Sequence, residues 1–584
     1  MLFGTCIEAK HTFMSFTDAL KTRQSLIAKI GHDEAYLCLA VALFIEEPDV
    51  DSLASQGLTE GGNDKKIDFI YHDQNSKRLV FAQGYMAKKP KDEAPSNKAS
   101  DLNTACAWLL SGDLTTVPEK LREIITGFRT AIDAGEIESI DLLYVHNLPE
   151  SVNVTRELQT VESHLRTTLA DDRLTVRSHE LGKAKIEHLF TAQDSHIEVI
   201  DDIGFPWEIG ITQKGDNWTA GVATVEANWL HGLYEKYGDK LYSANYRGFL
   251  GADGRKRVNS GIRETAEKEP KDFWAYNNGI TVLTLAIGEK KKGTRVLRGV
   301  SIINGAQTSG TIGSIDKSKT SLDEVKLLCR VIECSDQATI DKIVRFNNTQ
   351  NVITTWDRFS NDADQKRLSD EFDELGYAYN RKRGFNAHGD QIGIEQVLQP
   401  LLAFHGRPTD AVRGKAQLFV QGHLYRSAFE NKKARHILLV YSLARAIDNK
   451  RLELKAKSNE GALISVEAKQ LALLRNLNFK PFLIAAIANS LETIVGTYCD
   501  SLTVSFKPAA IKGTVLTDLS ARWLPIVEAV LPLLTAIVQP ETFFKKLSSE
   551  DDFLSQTKAQ LDAMLVATGQ PEKCSDFSSM VAST

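Results

Sequence analysis

The sequence has few of the features that would assign it to a secreted, membrane or metal-cluster protein. Its 584 residues include seven cysteines. Only Cys329 and Cys334 lie close together, which argues against a disulfide framework or a cysteine-based zinc site. No charged segment followed by an apolar run opens the chain. The most apolar stretch, Trp523 to Val538, contains Glu528 and two prolines, which favours a buried helix over a membrane span. We therefore expect a cytoplasmic protein with no membrane partner.

An excess of charge of one sign is also lacking. The formal net charge is −6, and charged residues make up 25% of the chain. The overall charge therefore does not predict nucleic-acid binding, and any such surface must be a local patch. A Gly-rich loop ending in Gly-Lys-Ser/Thr, typical of nucleoside triphosphate hydrolases, is absent as well.

The hydrophobic patterns indicate a mixed α/β protein with about three domains. Helices and strands alternate through residues 1–190, as in a layered α/β domain. Short helices and strands mix through residues 191–390 and predict an α+β module. Residues 391–584 carry helical periodicity, and we expect their helices to serve in packing or in homodimerisation.

The first candidate site combines residues of two predicted neighbouring strands. Asp68 opens a β run after a Gly-rich loop, and Gln83 lies fifteen residues later in the next β run. Adjacent strands can bring the two oxygens together to hold Mg²⁺ or Mn²⁺, which activates water for phosphodiester hydrolysis. Glu34, on the preceding helix, is a candidate third oxygen ligand.

This segment resembles the restriction-endonuclease-like core, whose pattern is Asp, a gap, then Asp/Glu/Gln-x-Lys. Asp68 and Gln83 match the pattern, but Tyr85 stands where the lysine belongs. The resemblance implies a metal-dependent nuclease. Among the nearby lysines Lys88, Lys89 and Lys98, we expect Lys98, at the start of the next helix, to replace the missing lysine. The alternative is a turn or cap role for Asp68, because the loop before it is rich in Gly and Asn.

The second candidate site is built on Asn-Gly turns. Asn277 and Asn278 precede Gly279 and a strand, and the next strand ends in Asn304-Gly305-Ala306-Gln307-Thr308. A strand that passes through Asn-Gly into a helix exposes N–H groups that favour an anion such as phosphate, and Gln307 and Thr308 add hydrogen bonds. The alternative is an ordinary turn in which Thr308 or Ser309 caps a helix.

Amide and basic side chains follow. Arg345 lies near the end of a predicted helix, and the run Asn347 to Asn351 includes Asn348 and Gln350. Such amides suit base edges or ribose. Arg381 and Arg383 lie beside Tyr377 and Tyr379 and suit phosphate or single-stranded nucleic acid. The alternative for both groups is a solvated loop.

The order of these motifs carries a second resemblance. NYRGFLG, FWAYNNGIT, INGAQT, NNTQN and YNRKRG follow one another, and the region resembles the abortive-infection phage-resistance (AIPR) family. The resemblance implies bacterial defence against phage, together with a nuclease at the N-terminus. We expect a metal-dependent nuclease that acts on DNA in preference to RNA, with partner defence proteins. The alternative is a catalytically inactive component that binds nucleic acid or senses a nucleotide.

Overall fold

The computed structural model describes residues 14–59, 66–169, 171, 174–191, 197, 199–238, 241–242, 256–289, 294–317, 319–349, 362–381, 389, 391–538 and 550–582. The chain divides into two compact units. Unit 1 comprises Met1–Glu187 and Thr355–Thr584, and unit 2 comprises His188–Thr354. The predicted mixed α/β class is confirmed, while the three-domain division stays a prediction.

The N-terminal part of unit 1 is a four-stranded sheet between two helical layers. Its strands are β1 (Phe69–Asp73), β2 (Arg78–Tyr85), β3 (Ser139–His146) and β4 (Thr175–Leu181). Its helices are α1 (Phe16–Lys21), α2 (Gln24–Ile30), α3 (His32–Ile45), α4 (Val50–Gly57), α5 (Ser96–Cys106), α6 (Glu119–Asp133), α7 (Val152–Leu169) and α8 (Lys183–Thr191), with a π-helical turn over Ala107–Ser111.

The sheet has the order β1-β2-β3-β4. The β1–β2 hairpin is antiparallel, and the other two pairings are parallel because helical crossovers separate their strands. Helices α5, α6 and α7 cover one face, where Phe81 meets Phe128 at a ring distance of 5.7 Å. Helices α3 and α4 contact the first strands. Strands buried on both faces explain the nearly continuous apolar run in β2 and β3.

The C-terminal part of unit 1 is helical, apart from two small two-stranded sheets. The strand pairs are β11 (Tyr379–Asn380) with β12 (Ile392–Gly393) and β13 (Ser505–Phe506) with β14 (Val581–Ala582). The helices are α14 (Ala363–Glu374), α15 (Ile394–Phe404), α16 (Pro408–Ala411), α17 (Lys415–Val420), α18 (Gly422–Phe429), α19 (Ala434–Asn459), α20 (Ser465–Arg475), α21 (Phe479–Asn489), α22 (Leu491–Val495), α23 (Pro508–Ile511), α24 (Leu516–Ile537), α25 (Glu550–Ala567), α26 (Gln570–Lys573) and α27 (Ser575–Met580).

Helix α24 is long and apolar enough to cross a membrane by length and composition, and so is the bent pair α20–α21 if it counts as one span. These are weak signals, because core helices of soluble proteins pass the same test. Trp523 on α24 is fully buried, and its indole N–H donates to the Leu439 carbonyl at 3.1 Å. Such burial is what a core helix requires.

Unit 2 contains one six-stranded sheet with the order β5-β9-β8-β10-β7-β6. Its strands are β5 (Val199–Phe205), β6 (Gly210–Lys214), β7 (Trp218–Glu226), β8 (Ile280–Ile287), β9 (Arg295–Asn304) and β10 (Lys326–Cys334). Its described helices are α9 (Ala227–Tyr237), α10 (Lys256–Lys268), α11 (Phe273–Tyr276), α12 (Ala306–Gly313) and α13 (Gln337–Thr349). The sequence pattern predicted β8, β9 and β10 but did not identify β5, β6 and β7. The edge strand β6 is exposed at every position and therefore lacks apolar alternation.

Candidate functional site

The structure brings Asp68 and Gln83 together at one end of the β1–β2 hairpin. The Asp68 N–H donates to the Ala82 carbonyl at 3.1 Å, which extends the ladder by one residue and sets Asp68 opposite Gln83. Asp68 Oδ2 accepts hydrogen bonds from Gln83 Nε2 at 2.6 Å and from the Gly84 N–H at 2.8 Å. The sequence prediction that two strands bring these side chains into contact is met by this geometry.

Gln83 carries an unsatisfied acceptor. The residue is 6% exposed, and its Oε1 is buried without a hydrogen-bond partner among the described residues. A buried carbonyl oxygen without a partner is costly, so it is a place where a ligand would be stabilising. An amide oxygen and a carboxylate are hard-oxygen donors of the kind that Mg²⁺ accepts.

The set of candidate metal ligands is small. Among the residues that the structure describes, no group of three or more His, Cys, Asp and Glu side chains is arranged to hold a metal ion. Asp68 and Gln83 therefore fit a divalent ion only as a partial set. Mg²⁺ commonly retains several waters and binds through one or two carboxylates together with substrate phosphate oxygens.

Glu34 lies in the first turn of α3 and is exposed. Leu37, one turn further along, approaches the candidate site, because a methyl group at Gly84 would lie 3.4 Å from Leu37 Cδ2 and 3.6 Å from Asp68 Oδ2. The beginning of α3 is thus the neighbouring helix, as predicted. The part of Glu34 in metal binding stays a prediction.

Two lysines near the candidate site differ in the groups that they contact. The Nζ of Lys98 lies 3.4 Å from Asp101, which also pairs with Lys66 at 2.6 Å. Lys91, which the sequence pattern did not single out, donates from Nζ to the Tyr85 hydroxyl at 2.7 Å and lies 5.4 Å from the centre of its ring. A lysine in the loop directly after β2 was the available sequence signal.

The neighbouring strand end carries further polar residues that the sequence pattern did not reveal. Tyr144 pairs with Gln83 and His146 with Tyr85 in the parallel register of β2 and β3. The His146 Nε2 lies 3.1 Å from Glu180 Oε1, and Glu180 also accepts the Ser151 N–H at 3.0 Å. Burial raises the pKa of Tyr144 well above its usual range. The Tyr144 hydroxyl donates to the Pro95 carbonyl at 3.1 Å, so these groups have partners and form one wall of the strand end.

The Asn-Gly turns of unit 2 pack against each other. Asn277 Oδ1 accepts the Gly279 N–H at 2.8 Å, and Asn277 Nδ2 lies 3.2 Å from the Thr308 hydroxyl. A methyl group at Gly305, which has φ +86°, would lie 2.7 Å from the Gly279 carbonyl oxygen. Thr308 therefore joins the two turns from inside α12, and Gly305, not Thr308, occupies the N-cap position.

The other predicted contacts of this region are only partly described. Asn278 is exposed, whereas Asn304 and Gln307 are half-buried. Arg345 and Asn348 lie in α13, but their side chains are outside the described residues, as are Gln350 and Arg383 altogether.

Arg381 is half-buried and follows β11. The structure adds Arg330, whose Nη2 donates to Asn347 Oδ1. The sequence signal for Arg330 is the presence of an arginine inside the apolar strand KLLCRVIEC. The nucleic-acid and nucleotide roles of the Asn, Gln and Arg residues stay predictions.

Comparison with known proteins identifies part of the chain. Residues 242–511 match the family model described as AIPR protein, which is somewhat less than half of the sequence. No curated protein and no solved structure matches. The match begins after the N-terminal sheet, so the restriction-endonuclease-like identity of that sheet stays a prediction. The match supports a bacterial role in abortive infection against phage. Over residues 242–511 this chain is thus similar to AIPR proteins.

Proposed function

We propose that this chain is a metal-dependent nuclease of anti-phage defence, with Asp68 and Gln83 as ligands of Mg²⁺ or Mn²⁺. The observation that carries the proposal is the buried Gln83 Oε1, which has no hydrogen-bond partner among the described residues and belongs to a side chain in contact with the Asp68 carboxylate. A hard cation would satisfy this acceptor and use the carboxylate charge. The order of α3, the β1–β2 hairpin, α5 and parallel β3 is compatible with the nuclease core that the sequence resembles.

The roles follow from the donor types. Asp68 and Gln83 would hold the metal, and exposed Glu34 at the start of α3 would add a further oxygen. When bound, the metal supplies an activated water and charge stabilisation at the phosphate. The positive charge that the absent lysine would contribute comes from Lys91, which reaches Tyr85, or from Lys98 as predicted. We favour Lys91, because it already contacts the Tyr85 hydroxyl, whereas the Lys98 ammonium lies beside Asp101.

The AIPR-matched helix α19 supports the segment that precedes Asp68. Lys455 Nζ donates to the Ser55 carbonyl at 2.9 Å and to the Leu58 carbonyl at 2.7 Å, at the end of α4. Leu58 forms an antiparallel bridge with Phe69, and the Thr59 N–H donates to the Asp68 carbonyl at 3.0 Å. A cation at a helix C-terminus is favourable. The proposed nuclease region and the AIPR-matched helices of unit 1 would thus act as one structural body.

The test is a cleavage assay with the purified full chain. Plasmid, single-stranded DNA and RNA are incubated with Mg²⁺ or Mn²⁺, and we expect cleavage that falls to background in Asp68→Ala. Asp92→Ala, in the exposed loop after β2, is the matched control and should cleave normally. Gln83→Glu should lower the metal concentration needed, because a carboxylate binds Mg²⁺ better than an amide. Cleavage that persists in Asp68→Ala would rule out this site.

A second candidate function is a catalytically inactive protein that binds nucleic acid. Tyr85 in place of lysine favours it, as does the absence of a three-residue acidic cluster among the described residues. It predicts salt-dependent binding without cleavage, weakened by Arg381→Ala and Arg383→Ala. Binding that ignores both substitutions and the salt concentration would count against it.

A further inference from the structure

Three strands of the unit 2 sheet place polar side chains in one row on one face. Arg330 of β10 is paired with Thr281 of β8, and Thr281 is paired with Asn304, the last residue of β9. Side chains of directly paired residues project to the same face of a sheet. Leu283 and Ile332, two positions further along β8 and β10, share this face and join the apolar cluster that packs against α13. The row therefore continues that cluster with polar groups.

Helix α13 covers this face and holds the Arg330 guanidinium. Arg330 Nη2 donates to Asn347 Oδ1, while Asn347 Nδ2 donates to the Ile343 carbonyl at 2.8 Å within the helix. This is the only hydrogen bond of the guanidinium to a described residue, and Arg330 Nε is buried without a partner among them. A guanidinium has five N–H groups in a planar fork. Asn347 thus orients the arginine and leaves most of its donors to a ligand.

The charge of Arg330 is not neutralised by a described carboxylate, because the guanidinium forms no ion pair with any of them. Four positions away on the same face, Lys326 and Glu226 stand opposite each other across β10 and β7. Glu333 lies on the other face of β10, where it accepts the Ile287 N–H at 2.8 Å. Partial burial lowers the pKa of Arg330, as expected for a cation without a compensating carboxylate. An anionic ligand would supply the missing charge.

The groups beside Arg330 indicate the class of ligand. Thr281 is 6% exposed and Asn304 is half-buried, and neither side chain forms a hydrogen bond with another described residue. An arginine fork matches phosphate oxygens, while a hydroxyl and an amide suit sugar hydroxyls or base edges. Phe346, directly before Asn347, is 57% exposed and suits stacking on a base. We propose that this row binds a nucleoside phosphate, free or as a unit of single-stranded nucleic acid, with Arg330 on the phosphate.

The row brings together three motifs that lie apart in the sequence. Thr281 belongs to FWAYNNGIT, Asn304 to INGAQT and Asn347 to NNTQN, whereas Arg330 belongs to none of them. A common ligand gives these separate segments one role, which their order along the chain does not reveal. The site lies in unit 2 and does not rest on the nuclease function proposed for unit 1.

The experiment measures binding to the full chain by isothermal titration calorimetry at constant ionic strength. EDTA is present, so that no divalent metal takes part. The probes are AMP, adenosine and a short single-stranded oligodeoxynucleotide. We expect saturable binding of AMP or of the oligonucleotide and little binding of adenosine, because the phosphate carries the contact with Arg330. Binding of AMP would assign a free nucleotide, and binding of the oligonucleotide alone would assign a nucleic-acid chain.

Variants of the row assign the binding to these residues. Arg330→Gln should weaken it about tenfold or more, because charged hydrogen bonds to the phosphate are lost. Arg330→Lys keeps the charge without the fork and should restore only part of the affinity. Thr281→Val removes a hydroxyl with little change of shape and should weaken binding about fivefold. Arg298→Gln, at an exposed position of β9, and Thr219→Val, on the opposite face of β7, are matched controls and should bind as the wild type does.

Three results would overturn the proposal. These are no saturable binding of either phosphate probe, equal affinities for AMP and adenosine, and unchanged affinity in Arg330→Gln, which would leave Arg330 as a structural link to α13. The Tm of each variant without ligand is measured alongside. If Arg330→Gln does not fold, unchanged affinity in Thr281→Val decides against the proposal instead. Because no metal is present, none of these results depends on cleavage, which Asp68→Ala tests separately.

Discussion

The Asp68–Gln83 contact of unit 1 and the Asn277–Thr308 contact of unit 2 each join polar side chains from separate elements. They differ in whether a polar atom remains without a hydrogen-bond partner. In the first, Gln83 Oε1 has no partner among the described residues. In the second, Asn277 bonds to the Gly279 N–H and to Thr308, so its polar groups serve the turn itself. Asn277 and Thr308, which belong to two of the motifs that resemble the family, are therefore engaged in building structure. Of the two contacts, the one with the unsatisfied atom is the better candidate for ligand chemistry, and it lies in the region that no comparison matches.

The two regions are also held by different forces. The segment before Asp68 belongs to α4, which is anchored to α19 by the buried pairs of Arg445 and by Lys455. The unit 2 turns depend on Gly279 and Gly305, whose φ values of +74° and +86° only glycine adopts easily. Four measurements test this contrast.

The largest effect is expected for Arg445→Ala. Arg445 binds Asp49 at 2.8 Å and Asp51 at 2.7 Å, and its removal leaves two buried carboxylates without their main cation. Loss of one partner of a buried ion pair costs about 3–5 kcal/mol. Chemical denaturation should show this loss in the free energy of unfolding. Arg426→Ala, on the exposed face of α18, is the control, and an equal loss there would refute the anchoring role.

Gly279→Ala should destabilise unit 2 by about 2–3 kcal/mol, because φ is +74° and a methyl group would lie 2.2 Å from the Leu328 carbonyl oxygen. Hydrogen exchange of peptides from residues 273–313 measures this loss of stability. Gly232→Ala, in α9, meets nothing within 4 Å and is the control. Unchanged protection in Gly279→Ala would mean that the turn tolerates a side chain.

Acid should weaken unit 1 through the buried His405–His436 pair, whose Nε2 atoms lie 2.9 Å apart. Burial lowers the pKa of His436 to about 4, while the unfolded chain binds the proton near its usual value of 6.5. Stability therefore falls as the pH drops below 6.5 and levels off below 4.

Between pH 7 and pH 5 His436 alone contributes a loss of about 2 kcal/mol, which is measured by denaturation at each pH. His436→Gln should reduce this dependence, whereas His423→Gln, at an exposed position, should not. A pH dependence that His436→Gln leaves intact would assign it to other groups.

The smallest effect is expected for Asn277→Ala. It removes the acceptor of the Gly279 N–H and the contact with Thr308, which is worth about 1–2 kcal/mol. Hydrogen exchange in the turn should rise, with cleavage and metal response unchanged. Asn278→Ala, at the exposed neighbour, should have little effect on stability. Loss of nucleic-acid binding in Asn277→Ala without destabilisation would instead favour a direct contact.

Local pattern was sufficient for much of the fold. The apolar run of β2 and the alternating helices around it were predictable, and so was the contact of Asp68 with Gln83, because a hairpin joins residues close in sequence. Strands β5, β6 and β7 were not predicted, and the edge strands β5 and β6 carry little apolar alternation.

Which polar groups remain available could not be predicted, because the choice among several nearby partners depends on the folded geometry. Lys98 was the predicted substitute for the absent lysine, but it pairs with Asp101, while Lys91 reaches Tyr85. A cleft in unit 1 that is lined by buried ion pairs was not foreseen at all, since it joins residues such as Glu47 and Lys415 that are 368 positions apart.

The sequence by itself determined the mixed α/β class, the AIPR region and the two strands that carry Asp68 and Gln83, since periodicity and ordered motifs are local properties. Only the tertiary structure decided that the polar groups of Asn277 are engaged in its turn, that Gln83 Oε1 has no partner among the described residues, and that a cleft lined by buried ion pairs lies between the N-terminal sheet and the AIPR-matched helices. The physical reason is that hydrogen-bond satisfaction and burial depend on neighbours brought together by folding.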